Sequence, residues 1–254
     1  MLFDLTGKTA LVTGASSGMG KAIAEAMGLH GATVVLSSND AAGCTTVLQD
    51  FLEKGIRAFA IPCDLSNPSN IEHLTQTVLE KAAKIDILVS CVGIAPAGSF
   101  LETTAEDFDN TMQLNLHSAL FLTQQLLPGM VARKEGCLLY LASIAALRGN
   151  KNIGLYGVSK AGLVQLVRNL AVEFGPSNIR ANAISPGMID TPFSKDLIAN
   201  NAFMEKRLAL TPLRRVGKVE EIAGVAVMLA SKAGGFITGQ NIVVDGGTVI
   251  SDGN

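Results

Sequence analysis

Three polar residues near the middle of the chain have side chains that could move a proton during a reaction. Ser143 ends an apolar run, "GCLLYLAS" (136–143), and Tyr156 and Lys160 lie in the amphipathic segment after it. The tyrosine and the lysine are four residues apart, which places them on one face of a helix. A free phenol has a pKa of about 10, and a nearby ammonium group favours the phenolate and lowers that pKa. We therefore predict a tyrosine that transfers protons and a serine that polarises a carbonyl oxygen. The alternative is a strand cap and two helix-surface residues.

A glycine-rich loop, "TGASSGMG" (13–20), follows an apolar run and precedes a segment with helical spacing. Gly14 permits a sharp turn off a strand, Gly18 leaves room for a phosphate, and Gly20 permits close packing of the helix on the sheet. Free N–H groups and the dipole at the start of a helix favour a pyrophosphate. The spacing is Gly-x-x-x-Gly-x-Gly rather than Gly-x-Gly-x-x-Gly, but its position between a strand and a helix predicts nucleotide binding.

Two kinds of segment alternate along the chain and must position these residues. Apolar, β-branched runs predict strands at 8–14, 33–38, 56–64, 85–93, 136–143, 179–187 and 240–247. Segments with helical spacing lie at 19–31, 41–55, 71–79, 105–133, 153–175 and 220–231. This alternation predicts parallel strands joined by right-handed crossovers. The predicted fold class is therefore α/β, a Rossmann-type doubly wound parallel sheet of about seven strands with helices on both faces.

The order of the segments also predicts where a ligand would bind. No composition shift or Pro/Ser-rich linker divides the chain, so we predict a single domain over residues 1–254, with a loop and helical insert at 188–210. In an open parallel sheet, ligands bind at the carboxyl ends of the strands, where the winding direction changes. The glycine loop and Ser143 each follow a predicted strand, so we expect them at that edge.

The composition limits the partners and the compartment. Hydrophobic residues make up 48% of the chain, charged residues 17%, and the net charge is −2. The charge argues against nucleic acid, and the apolar composition favours a homo-oligomer. The longest apolar runs fall short of the ~18 residues that a membrane span needs, and no basic signal-peptide region precedes them. We expect a cytoplasmic protein. Its four cysteines and three histidines are scattered, which predicts free thiols and no metal site.

The glycine loop, Ser143 and the Tyr156-x-x-x-Lys160 motif together resemble the short-chain dehydrogenase/reductases, and the resemblance covers essentially the whole chain. "CDLSN" (63–67) is similar to the family segment whose aspartate contacts adenine, here Asp64. "LNLHS" (114–118) supplies the asparagine of the family's catalytic set, here Asn115. "SPGMIDTPF" (185–193) is similar to the family's Pro-Gly segment, and "ITGQNIVVDGG" (237–247) to its C-terminal strand.

The resemblance implies an NAD(P)-dependent oxidoreductase that interconverts a ketone or aldehyde with the corresponding alcohol. Tyr156 would exchange the proton at the substrate oxygen, Lys160 would bind the nicotinamide ribose, and Ser143 would orient the substrate. Asn115 would hold a water that links Lys160 to solvent. The residues predicted to bind the cofactor are Gly14, Ser16, Ser17, Gly18, Met19, Gly20, Ser38, Asn39, Asp64, Leu65, Gly93, Tyr156, Lys160, Pro186, Gly187, Ile189 and Thr191.

The resemblance also makes the insert at 188–210 a lid over the substrate, and it implies a tetramer or dimer. The residues predicted to bind the substrate are Ser143, Ala145, Ile153, Tyr156 and Phe193, with Ile94 and Leu147 beside them. This mostly apolar set favours a neutral, hydrophobic ketone or secondary alcohol. Arg148 and Asn152 are the nearby polar candidates for substrate selection, and we expect both to be solvated. Two alternative functions stay open, a 3-oxoacyl thioester reductase and a non-catalytic nucleotide-sensing protein on the same fold.

Two segments depart from the family pattern. The family's Asn-Asn-Ala-Gly is "SCVG" (90–93) here, which retains only Gly93, and we expect a small local rearrangement. The second segment, "SSND" (37–40), bears on NAD against NADP. Ser38 stands where an acidic residue would select NAD, and Asn39 where an arginine would select NADP. Asp40 either caps the second helix or turns inward and disfavours NADP. The sequence does not separate the two cofactors.

Overall fold

The computed structural model describes residues 1–251 of the 254-residue chain, and these residues contain seven strands. The strands are β1 Thr9–Thr13, β2 Thr33–Ser37, β3 Ala58–Ala60, β4 Ile87–Ser90, β5 Gly136–Leu141, β6 Ile179–Pro186 and β7 Asn241–Val244. They form one parallel sheet in the order β3-β2-β1-β4-β5-β6-β7. The winding direction reverses between β1 and β4, at the middle of the sheet. The predicted fold class, a doubly wound parallel α/β sheet, is confirmed.

Helices cover both faces of this sheet. They are α1 Gly18–Leu29, α2 Ala41–Glu53, α3 Pro68–Ala82, α4 Ala105–Met112, α5 Ser118–Arg133, α6 Gly154–Phe174, α7 Lys195–Ala199, α8 Asn201–Ala209 and α9 Val219–Ala230. One core joins α1, α2 and α9 to the sheet, and the other joins α3, α5 and α6 to the opposite face. Each strand therefore needs apolar side chains on both of its faces. In β1, Ala10 and Val12 point into the first core and Leu11 into the second.

Two predicted segments differ from the structure. The strand predicted at 56–64 is confined to β3, which ends before Pro62 at the edge of the sheet. Proline has no N–H group to donate to a ladder, and sheet edges are where it is tolerated. The helix predicted at 105–133 is divided into α4 and α5 by a π-helical turn, Gln113–His117. Such turns within α-helices occur frequently at functional sites, and this turn contains Asn115.

The remaining expectations concern membranes, metals and thiols. Among residues 1–251, no helix is long and apolar enough to cross a membrane. The same residues contain no group of three or more His, Cys, Asp or Glu side chains arranged to hold a metal ion. All four cysteines are free.

Candidate active site

A cavity of about 340 Å³ lies at the carboxyl ends of the central strands, where the winding direction reverses. Fourteen residues from the predicted cofactor-binding set line it: Gly14, Ser16, Ser17, Gly18, Met19, Gly20, Ser38, Asn39, Asp64, Leu65, Gly93, Tyr156, Lys160 and Thr191. Segments far apart in the sequence therefore meet in one space. The glycine loop and the Tyr156/Lys160 pair both face it.

The glycine loop joins β1 to α1 with a backbone that only small residues permit. Gly14 and Gly18 have φ angles of +66° and +52°, which residues other than glycine rarely adopt. A Cβ atom on Gly20 would overlap the carbonyl oxygen of Gly14. Ser17 precedes α1 in an extended conformation, and within the described residues its side chain makes no capping hydrogen bond. The first N–H groups of α1 are therefore free to bind an anion, which fits a pyrophosphate.

The end of β2 presents neutral polar groups to the same cavity. The hydroxyl oxygens of Ser16 and Ser38 lie 3.0 Å apart and share a hydrogen bond. Asn39 follows them at the cavity lining. The carboxylate of Asp40 accepts a hydrogen bond from the Gly43 N–H at 2.9 Å, so Asp40 is the N-cap of α2 and does not turn inward. The cavity wall at Ser38 and Asn39 carries neither a carboxylate against a 2′-phosphate nor a cation for it.

The segment "SCVG" contributes to the site through its backbone. The Cys91 N–H donates to the Thr13 hydroxyl at 3.1 Å, which fixes the segment to β1. A Cβ atom on Gly14 would lie 3.0 Å from the Cys91 carbonyl oxygen. A Cβ atom on Gly93 would lie 3.1 Å from the Lys160 Nζ and from the Asn115 Oδ1. The Cys91 N–H and carbonyl groups belong to the backbone, and Gly93 has no side chain. The fit of this segment against Thr13, Gly14 and Lys160 therefore does not depend on the side chains of Cys91 and Val92. Burial raises the pKa of the Cys91 thiol to about 12, so that thiol is neutral.

Lys160 is a buried cation held by two carbonyl groups. Its side chain is 3% exposed, and Nζ donates to the carbonyl oxygens of Leu141 at 2.8 Å and Val92 at 3.5 Å. An ammonium group has three donors, so one remains. Burial lowers the pKa of Lys160 to about 8. Nζ lies 5.6 Å from the centre of the Tyr156 ring.

Tyr156 lies one helical turn before Lys160. Burial raises the pKa of Tyr156 above its ordinary value, and the Ser143 hydroxyl acts on that pKa in the opposite direction. This result differs from the expectation that Lys160 lowers the pKa of Tyr156. The lysine ammonium is turned towards the Leu141 and Val92 carbonyl groups, and burial has the larger effect. Tyr156 is therefore a neutral phenol at neutral pH.

Asn115 connects the π-helical turn to β4 and α6. Its side-chain amide accepts from the Ile94 N–H and donates to the Ile94 carbonyl, both at 2.8 Å. Its Nδ2 also donates to the Ser159 hydroxyl at 2.9 Å, and that hydroxyl donates to the Tyr156 carbonyl. Asn115 thus fixes the backbone that follows Gly93 against the helix that contains Tyr156 and Lys160.

Several predicted site residues lie outside the cavity lining. Ser143 and Asn115 do not line the cavity. Ser143 affects the pKa of Tyr156, and Asn115 is hydrogen-bonded to Ile94, and both Tyr156 and Ile94 line the cavity. Pro186 is the last residue of β6, Gly187 and Ile189 follow that strand, and Ile189 packs in the hydrophobic core at 5% exposure. Ala145 is buried, and Ile153 makes an isolated bridge to Gly98. Phe193 does line the cavity, and its ring centre is 6.4 Å from that of Tyr156.

The cavity also contains residues that the motifs did not identify. They are Cys63, Cys91, Val92, Leu114, Leu141, Ala142 and Pro192. Most of them are sequence neighbours of a predicted residue, and Leu141 and Ala142 stand where β5 ends. The position at the carboxyl end of a strand was therefore the signal that could have found them. Ser159, which positions Asn115, had no signal of its own in the sequence.

Comparison with known proteins places this site in a family. Residues 14–249 match the family model described as "Enoyl-(Acyl carrier protein) reductase". A tropinone reductase homologue of Arabidopsis thaliana is 37% identical over 98% of this chain and 93% of its own. Dehydrogenase/reductase SDR family member 4 of Oryctolagus cuniculus is 36% identical over 96% of this chain and 94% of its own.

Solved structures agree with this placement. A gluconate 5-dehydrogenase of Burkholderia cenocepacia, in complex with NADP and tartrate, has a TM-score of 0.94 at 27% identity and matches 98% of each chain. A 7α-hydroxysteroid dehydrogenase, in complex with NADH and 7-oxoglycochenodeoxycholic acid, has a TM-score of 0.93 at 36% identity and matches 96% of this chain and 95% of its own. As its sequence motifs predicted, this chain belongs to the short-chain dehydrogenase/reductase family of NAD(P)-dependent oxidoreductases.

Proposed function

We propose that the protein interconverts a ketone or aldehyde with an alcohol, with Tyr156 as the general acid and base. The observation that carries the proposal is the shared cavity. A helix N-terminus with free N–H groups and a Tyr/Lys pair line the same space, and the Ser143 hydroxyl opposes the effect of burial on the pKa of the tyrosine. The names of the dehydrogenase and reductase relatives support the same reaction class.

The residues of the chain supply the proton chemistry. A bound nicotinamide cofactor supplies or accepts the hydride. In the reduction direction, the Tyr156 hydroxyl donates its proton to the substrate oxygen as negative charge develops there. The Ser143 hydroxyl donates a hydrogen bond to the same oxygen. Burial keeps Tyr156 neutral at neutral pH, which is the form that donates a proton in reduction. The oxidation direction needs the phenolate, which alkaline pH favours.

Lys160 and Asn115 hold the proton-transfer groups in place. Two N–H donors of Lys160 bind the Leu141 and Val92 carbonyl groups, and the third is available for a ribose hydroxyl of the cofactor. Gly93 makes this possible, because any larger residue would press on the Lys160 Nζ. We propose that a water held near Asn115 returns protons to Lys160 and Tyr156 from solvent.

The substrate is apolar next to its reacting carbon. Phe193 stands near the Tyr156 ring, and Ile94 and Leu114 add further apolar surface to the cavity. Apolar walls with a few convergent polar groups are typical of small-molecule sites. A second candidate is reduction of the 3-oxo group of an acyl thioester, and the description of the matching family model also names an acyl carrier substrate.

We propose a homo-oligomer, tetramer or dimer, in the cytoplasm. The supporting observation is exposed apolar surface, for example at Val172 (82% exposed) and Phe236 (104% exposed). Light scattering that gives the mass of one chain would contradict the oligomer.

The test of the reaction is the Tyr156→Phe variant. It removes the proton that the mechanism uses, so kcat should fall by about 10²–10⁴-fold, while NADH and NADPH still bind. The assay follows nicotinamide absorbance with a panel of ketones and an acetoacetyl thioester, with each cofactor. The panel also decides between the two candidate substrates.

The chain offers a matched control in its other tyrosine. Tyr140 is fully buried outside the cavity and shares a 2.6 Å hydrogen bond with the Thr123 hydroxyl. Thr123 also donates to the Ala119 carbonyl at 2.7 Å, so Tyr140→Phe leaves it a partner. Tyr140→Phe should keep nearly full kcat. Full activity in Tyr156→Phe would overturn the assignment of the acid.

A further inference from the structure

Ser159 is a fully buried serine on α6, between Tyr156 and Lys160 in the sequence. Its hydroxyl makes two hydrogen bonds. It donates to the Tyr156 carbonyl at 2.8 Å, and it accepts from the Asn115 Nδ2 at 2.9 Å. A serine hydroxyl has one proton to donate, so the bond to Tyr156 leaves the hydroxyl as an acceptor for Asn115. Ser159 itself does not line the cavity, so any part it takes in the reaction is indirect.

The Asn115 side chain connects two parts of the molecule through its amide group. Oδ1 accepts from the Ile94 N–H and Nδ2 donates to the Ile94 carbonyl, both at 2.8 Å. An amide group has two protons on its nitrogen, and the second of these is bound by Ser159. Two of these three bonds therefore hold the amide to the segment after β4, and the third connects it to α6.

The segment Val92–Ile94, which follows β4, is attached to α6 at two points. In the first, the Lys160 Nζ donates to the Val92 carbonyl at 3.5 Å, which is longer than the range of about 2.7–3.2 Å for a good N–H···O bond. The second runs from Ser159 through Asn115 to the last residue of the segment, with bonds of 2.8 and 2.9 Å. Because its bonds are shorter, the second attachment is the stronger one.

We propose that Ser159 is a positioning residue for the reaction. Through Asn115, it holds the segment Val92–Ile94 against the helix that contains Tyr156 and Lys160. This segment and both of those helix residues line the cavity, so the attachment sets the width of the cavity at the proton-transfer groups. Rates depend steeply on how closely reacting groups are held in place. The inference rests on the proposed oxidoreductase function and adds to it a residue that touches neither substrate nor cofactor.

The Ile94 N–H tests the inference without turnover, because it donates to the Asn115 Oδ1. Its hydrogen exchange, followed by NMR of ¹⁵N-labelled protein, reports how often the Asn115 side chain leaves its position. In Ser159→Ala this exchange should be about 2- to 10-fold faster, as expected for the loss of one hydrogen bond. Alanine favours helix, so the Tm of the variant should stay close to that of the wild type. Exchange of the Ile94 N–H at the wild-type rate would overturn the inference.

Ser118→Ala is the matched control. Ser118 is also a fully buried serine on a helix, and it donates to the Leu114 carbonyl at 2.6 Å. Within the described residues it makes no hydrogen bond to Asn115. Exchange of the Ile94 N–H and kcat should both stay near the wild-type values in this variant. Equal changes in Ser118→Ala and Ser159→Ala would indicate a general disturbance of packing and would contradict a specific role for Ser159.

Kinetics separates this inference from the proposed function. With the ketone that the wild type reduces fastest, Ser159→Ala should lower kcat by about 2- to 10-fold. The KM of the cofactor should change little, because the glycine loop does not depend on Ser159. Faster exchange of the Ile94 N–H with unchanged kcat would contradict the positioning role and leave the oxidoreductase function standing. Faster exchange together with a wild type that reduces no ketone would overturn the proposed function and leave the link from Ser159 to Asn115 standing.

Discussion

The two sides of the cavity differ in the chemical groups that they present and in what holds those groups in place. The glycine-loop side, Gly14–Gly20 with Ser38, offers backbone N–H groups and hydroxyls held by the β1–α1 turn. The proton side consists of the side chains of Ser143, Tyr156, Lys160 and Asn115. Backbone groups of two other segments, the stretch after β4 and the end of β5, hold Lys160 and Asn115 in place. The first side depends on local backbone conformation. The second depends on contacts between distant parts of the chain, so the two sides should respond differently to mutation.

The largest effect on the glycine-loop side is expected from Gly20→Ala. The added Cβ would overlap the Gly14 carbonyl oxygen, so α1 must move away from β1. We expect a loss of about 1–3 kcal/mol in the free energy of unfolding and a Tm lower by about 2–12 °C, together with weaker binding of NADH and NADPH. Thermal unfolding and nucleotide titration measure both.

Gly224→Ala is the control for that change. Gly224 lies on the exposed face of α9, and no described atom lies within 4 Å of the position its Cβ would take. The same substitution should stabilise the protein by about 0.5–1 kcal/mol, because alanine favours helix. If Gly20→Ala were as stable as Gly224→Ala, the close packing at the glycine loop would contribute nothing to the free energy of unfolding.

A smaller effect is expected from charges placed at the end of β2. Ser38→Asp should weaken NADPH relative to NADH, and Asn39→Arg should do the opposite, each by about 10- to 100-fold in the ratio of Michaelis constants. Asp40→Asn should change that ratio little, because Asp40 caps α2 and does not face the cavity. Michaelis constants for both cofactors in each variant measure the effect. An unchanged ratio in both of the first two variants would place the adenosine ribose elsewhere.

The smallest effect concerns pH on the proton side. The pKa of Lys160 is about 8, so the ammonium is present below that pH and is lost above it. If the cation is required, the rate of ketone reduction should be level below pH 8 and fall by about tenfold for each further pH unit. A pH–rate profile measures this fall.

Lys160→Arg is the control for the pH profile. Arginine stays charged throughout this range, so the fall near pH 8 should disappear in the variant, whatever its absolute rate. A wild-type fall that persists in Lys160→Arg would belong to another group.

Much of this site could be predicted from the sequence. The glycine spacing after a strand predicted the turn between β1 and α1, and fourteen of the seventeen predicted cofactor residues line one cavity. The prediction was weakest where a residue acts through another. The π-helical turn at Asn115, the support from Ser159 and the raised pKa of Tyr156 depend on burial and on hydrogen bonds between segments far apart in the chain.

The sequence by itself determined the alternation of strands and helices, the family, and the candidates for the reacting groups, because these follow from local periodicity and from short motifs. The tertiary structure decided the protonation preference of Tyr156 and the role of Asp40 as a helix cap. It also decided how "SCVG" serves the site through its backbone. The physical reason is that desolvation, electrostatic interaction and hydrogen bonding act through space, and only the folded chain sets which groups are neighbours.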